Sequence, residues 1–128
     1  MLITSRETRR WIFPKGWPIS GKAGPDTAAI EAFEEAGVEG IMAPQPLGNY
    51  RYNKYMRGSS LPCEVTVFLM LFRAQRSDWP ERLQRTTRWF SCSQATERVE
   101  EKGLAALIAR IPTSARDLQS FVDRHIVT

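Results

Sequence analysis

Glu31, Glu34 and Glu35 stand at i, i+3 and i+4, the spacing that sets three side chains on one face of an α-helix. Three unpaired carboxylates this close repel one another, so a helix of about ten residues needs something to compensate them. An oxygen-only cluster of carboxylates is the ligand set that Mg²⁺ or Mn²⁺ prefers, with water and a substrate phosphate in the remaining positions. The alternative is a solvated acidic face with no chemistry. Other chemistries have little to work with. His125 is the single histidine, three residues from the C-terminus, and Cys63 and Cys92 are the only cysteines. Two thiols so far apart make neither a disulfide scaffold nor a thiolate zinc site, and they read as small buried hydrophobes.

Charge is segregated along the chain. Residues 1–24 carry a balance of +4, residues 25–40 a balance of −5 with no base at all, and residues 41–60 a balance of +3. An acidic segment bracketed by basic ones suits a bound cation together with an anionic ligand. Arg9, Arg10 and Lys15 precede the acidic helix, and Arg51, Lys54 and Arg57 follow it. Arginine forks match phosphate oxygens, whereas a lysine acts as a point charge. Each of these cations, taken alone, is equally well a solvated surface residue. Trp17, Tyr50 and Tyr52 could stack on a base, with core or rim packing as their other reading.

The elements that must position these residues alternate between strand-like and helix-like stretches. Trp11–Phe13 is a short β-prone segment ended by Pro14, and residues 14–25, with three prolines and three glycines, must be a loop. Asp26 is placed to cap a helix over Thr27–Ala36, which Gly37 is placed to terminate. Ala28, Ala29, Ala32, Phe33 and Ala36 let that helix sit close to a sheet. Residues 40–46 read as a connection or short strand, Leu47–Tyr55 as a β segment, and Arg57–Pro62 as a turn or loop. Glu64–Phe72, a nearly continuous apolar run, reads as one strand in the middle of a covered sheet. Trp89 and Phe90 suggest another strand after a polar loop over residues 78–87. Apolar positions recur at helical spacing from Ser93 to Ile111, Pro112 is expected to stop that helix, and residues 113–126 form one more.

A chain of 128 residues, 42% hydrophobic and 25% charged, has the size and composition of one ordinary globular domain covering 1–128. No apolar run approaches the roughly 18 residues needed to cross a bilayer. The opening MLITSRETRR has no apolar core followed by a cleavage site, so a cytoplasmic location is expected by default and no membrane partner is expected. No internal repeat interrupts the pattern, and a sheet with helices packed on it, α/β or α+β, summarises it.

The run GWPISGKAGPDTAAIEAFEEAGV resembles the 23-residue signature of the Nudix hydrolases: G, five residues, E, seven residues, then R-E-U-x-E-E-x-G-U with U aliphatic. Gly16, Glu31, Ala32, Glu34, Glu35, Gly37 and Val38 fall in register over its 23 positions. Lys22 stands where the family has Glu, and Ile30 where it has the Arg that helps orient the neighbouring glutamate. RRWIFPKGWP, LGNYRY, VTVFLMLF and DWPE followed by RWF extend the likeness over nearly the whole chain, toward the diphosphoinositol and diadenosine polyphosphate branch.

The resemblance implies an α/β class fold: a Nudix-type α/β/α sandwich with a mixed sheet. The family's usual strand ahead of the MLITSR-like segment has no counterpart, so either the sheet is short at that edge or the chain is truncated at its start. It implies hydrolysis of a phosphoanhydride in a nucleoside diphosphate linked to another moiety, with Mg²⁺ or Mn²⁺ as cofactor. Glu34 and Glu35 are then metal ligands, with Glu31 a third ligand or the general base, so that Glu31 and Glu34 carry the catalysis. A further acid from outside the box is expected among Glu64, Asp78 and Glu81. Arg10, Lys15, Lys22, Arg51 and Lys54 are the expected substrate-binding cations for an anionic polyphosphate. A homodimer is the protein assembly compatible with this reading. Two other readings stay open: a Nudix fold that binds a nucleotide with little turnover, and a nucleic-acid-binding module. The second is disfavoured, because the chain lacks stacked aromatic motifs and a long basic stripe.

Overall fold

The computed structural model describes residues 1–125. Seven strands and three helices follow in the order β1 (Leu2–Thr4), β2 (Trp11–Ile12), α1 (Gly24–Ala36), β3 (Val38–Met42), β4 (Gly48–Met56), β5 (Ser59–Val67), β6 (Met70–Gln75), β7 (Thr87–Arg88), α2 (Cys92–Arg98) and α3 (Lys102–His125). The strands pair in three ladders, β2-β1-β7, β3-β6 and the hairpin β4-β5, each antiparallel.

Neighbouring side chains of a strand point to opposite faces, and β1 uses this to divide the core in two. Leu2 joins Leu47, Tyr50, Val67, Ala95, Leu104, Leu107 and Ile108, the layer covered by α2 and α3. Ile3, its neighbour, joins Ile12, Ala36 and Val38, the layer beside α1. Helices thus lie on both faces of the strands, and the expected α/β/α class is observed.

Helix α1 begins three residues earlier than its caps predict. Its N-cap is Ala23, which makes no side-chain capping bond, and a proline occupies its first turn. Proline's fixed φ and missing N–H suit that turn, so Asp26 sits inside the helix, where its charge meets the dipole, and not at the cap. The C-terminus is as expected: Gly37 adopts φ 70° and its N–H donates to the Phe33 carbonyl. A side chain there would be strained at that φ and would also collide with the Trp79 ring.

Three segments depart from their expected form. The turn expected over Arg57–Pro62 shrinks to the tip of the hairpin, and Pro62 lies within β5, tolerated because that strand pairs on one side only among the described ladders. The apolar run Glu64–Phe72 is two strands, and β5 is mostly exposed where a buried central strand was expected. Val67 accepts a backbone hydrogen bond from Leu47 and Leu69 accepts one from Ala43, so the partner strand changes from one side of Phe68 to the other. Phe68 leaves the ladder and packs its ring over Gly24 at the start of α1.

The third departure is Pro112. The helix expected over Ser93–Ile111 is broken earlier, between α2 and α3, and α3 then runs through Pro112 without stopping. An interior proline costs about 3 kcal/mol. Leu104, Leu107 and Ile108 before it and Leu118 and Val122 after it are all buried. At about 1.5–3 kcal/mol for each buried aliphatic side chain, one continuous stripe outweighs the break. Ile126 of the helix expected over 113–126, and the side chain of His125, lie outside the described residues.

Helix α2 starts at a complete capping box: Ser91 Oγ accepts from the Gln94 N–H, and the Gln94 side chain accepts from the Ser91 N–H. Replacing Ser91 with alanine is expected to lower stability by about 1 kcal/mol, read as a shift of the urea midpoint with unchanged slope.

Candidate functional site

The C-terminal half of α1 is held by the segment that follows β6. Arg76 N–H donates to the Gly37 carbonyl at 2.9 Å and Glu81 N–H to the Glu34 carbonyl at 2.9 Å, while Trp79 lies on Gly37. The segment is tied to β1 by Thr86, whose N–H donates to Thr4 Oγ1 at 2.9 Å. This strap brings Glu81 and Arg85, remote in sequence, against the acidic helix.

Glu35 is the centre of the arrangement. It is 2% exposed, and Arg85 Nη2 lies 3.1 Å from its Oε1. Its Oε2 is buried and has no hydrogen-bond partner. Burial, and after it the adjacent Glu31 carboxyl, pushes the Glu35 pKa up to about 8, against the pull of the Arg85 cation. Glu31, one turn earlier on the same face, lies over Gly16, and a Cβ at Gly16 would overlap its carboxylate. That close approach is what the glycine in the loop before α1 permits.

Both glutamates line a large cleft of about 1440 Å³, together with Gly16, Trp17, Glu64, Glu81 and Arg85. Glu34 does not; it lines a separate, smaller depression with Ile30, Phe33 and Pro80. The i, i+4 pair thus meets the cleft, while the i+3 residue meets the neighbouring depression. Among the described residues, no group of three or more His, Cys, Asp or Glu is placed to hold a metal ion. Of the candidate fourth acids, Glu64 and Glu81 line the cleft, while Asp78 is 83% exposed and paired with Arg82.

The expected cations divide similarly. Arg10, Lys15, Lys22 and Lys54 line the cleft. Lys15 stands 4.8 Å above the Tyr52 ring; burial pushes its pKa below the ordinary lysine value, with Glu35 pulling it back up. Lys54 reaches across from β4 to stand 5.2 Å above the Trp17 ring. Arg10 is already engaged, its Nη1 2.7 Å from Glu101 Oε1. Arg51 is 83% exposed, lies 4.0 Å from Glu64 and is absent from the cleft wall. Trp17, 61% exposed, is available for stacking, whereas Tyr50 is 4% exposed and belongs to the core.

An oxygen-rich pair at a cleft floor fits a hard cation. Mg²⁺ commonly takes one or two carboxylates from the protein and completes its shell with water and substrate phosphate, and the unpartnered Glu35 oxygen is a polar group awaiting such a ligand. Sequence reasoning missed Arg85 and Glu101, the partners of Glu35 and Arg10. Each lies at least 50 positions from the residue it binds, so no local spacing announced them.

No family model matches the chain. The chain is similar to Nudix hydrolase 16, mitochondrial, of Arabidopsis thaliana, with 32% identity over 101 residues that take in 76% of this chain and 56% of that protein. It is similar to Nudix hydrolase 12, mitochondrial, of the same plant, with 30% identity over 103 residues, 76% of this chain and 50% of the relative. Nudix hydrolase 13, mitochondrial, matches at 30% over 105 residues, 76% and 51%. The chain thus spans about half the length of the curated relatives it matches.

Proposed function

The chain belongs to the Nudix hydrolase family, and we propose that it is a divalent-metal-dependent hydrolase of a phosphoanhydride joined to another moiety, a dinucleoside polyphosphate or a diphosphoinositol polyphosphate. One observation carries the reading: a buried, unpartnered Glu35 oxygen beside Glu31 on the wall of a cleft that lysines also line.

Glu31 and Glu35 would hold Mg²⁺ or Mn²⁺ from the α1 wall. When bound, the cation supplies charge neutralisation at the phosphates and acidifies water. Lys15, Lys22 and Lys54 bind and orient the polyphosphate, and Trp17 offers a face to a base. Glu31, where it does not ligate the cation, takes the proton of the attacking water in this reading, and Gly16 leaves room for its carboxylate. Glu34 joins the ligand set only if its side chain leaves the depression it lines with Ile30, Phe33 and Pro80, and the Glu34→Gln variant tests this.

The reading is tested by phosphate release from dinucleoside polyphosphates and diphosphoinositols with Mg²⁺ or Mn²⁺; no release from any of them overturns it. Glu34→Gln is expected to lower release by about 10- to 100-fold, the scale of losing a supporting group at a metal, without changing the metal-free melting temperature. A parental rate in Glu34→Gln removes that residue from the ligand set. A second reading, a Nudix fold that binds its nucleotide with little turnover, is favoured by the splayed position of Glu34 and by Lys22 and Ile30 at box positions. Tight binding of the same compounds without release would select it.

A further inference from the structure

We propose that Arg85 is the positioning residue of the acidic pair: it fixes the orientation of the Glu35 carboxylate so that the oxygen it does not bind stays turned toward the cation and phosphate. The inference rests on the proposed function and assigns a residue outside the box to it.

Arg85 is 9% exposed at its side chain, and each arm of its fork has a different anchor. Nη2 meets Glu35 Oε1 on α1 at 3.1 Å and Nε meets Glu81 Oε1 on the strap at 3.0 Å. Nη1 donates to the Thr4 carbonyl of β1 at 3.1 Å. The contacts to Glu81 and Thr4 are hydrogen bonds and hold the guanidinium plane, and the ion pair with Glu35 then limits the positions open to that carboxylate. At Glu35, a residue of the cleft lining, Oε1 is engaged by Arg85 and Oε2 is buried without a hydrogen-bond partner.

Charge compensation alone would need no such fork. An ammonium at this position would neutralise Glu35 equally, but it cannot span the anchors on α1, the strap and β1 with fixed geometry. Lysine therefore separates the two roles: it restores a charge and does not restore an orientation.

The test compares the parent protein, Arg85→Lys and Arg85→Gln for uptake of Mn²⁺ in the presence of methylenediphosphonate, followed by the free-ion electron paramagnetic resonance signal, with a melting curve for each variant. Positioning predicts that Arg85→Lys melts near the parent yet loses at least about tenfold in Mn²⁺ affinity, the lower end of the range for supporting residues at metal sites, and that Arg85→Gln loses no less. Parental Mn²⁺ affinity in a folded Arg85→Lys overturns the proposal. Should Arg85→Lys fail to fold, Arg85→Gln is read alone: removing a cation by itself favours Mn²⁺, so an affinity loss of at least about tenfold supports positioning, and parental or tighter uptake overturns it. A parent protein that takes up no Mn²⁺ overturns the proposed function, and the positioning role with it.

Discussion

Glu31→Gln is expected to lower phosphate release by about 10²- to 10⁴-fold, the contribution of a positioned general base, while substrate affinity changes far less. Glutamine keeps the shape that packs over Gly16 and removes the negative charge that either role of Glu31, base or ligand, requires. Its neighbour Glu35, held protonated below about pH 8 by burial and by the Glu31 carboxyl, still meets an amide oxygen in the variant, so the metal-free variant is expected to melt near the parental temperature. Single-turnover release and a melting curve on the same preparation check both halves. A variant within threefold of the parental rate would remove Glu31 from the chemistry.

The second large effect is a dependence of stability on pH. Glu35 has its pKa raised from 4.5 to about 8 in the folded protein. Below pH 4.5 the carboxyl is protonated in both states, and its contribution to stability is fully present. Between 4.5 and about 8 the unfolded chain releases the proton while the folded chain keeps it, so the folded state binds more protons and stability falls as pH rises. At about 1.4 kcal/mol per pH unit, the loss over that window is about 3–5 kcal/mol. Divalent metal acts in the opposite sense, because binding at Glu35 requires the proton to leave, and Mn²⁺ uptake therefore strengthens toward pH 8. Denaturant titrations without metal, at intervals from pH 4.5 to 8, are expected to show the decline in the parent and a flatter profile in Glu35→Gln. Parallel profiles in the two proteins would show that Glu35 is not the group responsible.

Much of the site's local architecture is legible in the chain itself. The helix formers of α1, the glycine that ends it and the i, i+4 relation of Glu31 and Glu35 follow from backbone conformational preference and helical periodicity, which act within a few residues. Gly16 was recognisable by register with the family signature, though not its purpose, which is to make room for the Glu31 carboxylate. The divergence of Glu34 was not legible, because three residues along a helix is a neighbourly spacing on average, and only the surroundings of α1 decide which side of it meets the cleft.

What the sequence by itself determined is therefore the acidic helix, its terminator and the segregation of charge around it, all consequences of interactions between near neighbours. Tertiary structure alone decided that the apolar run from Glu64 to Phe72 divides between two ladders, that α3 passes through Pro112, and that Arg85 crosses 50 positions of sequence to meet Glu35. The physical reason is common to all three. Each is settled by which distant surface a residue is buried against, and burial of a strand, a stripe or a charge can outweigh the local preference that a linear reading detects.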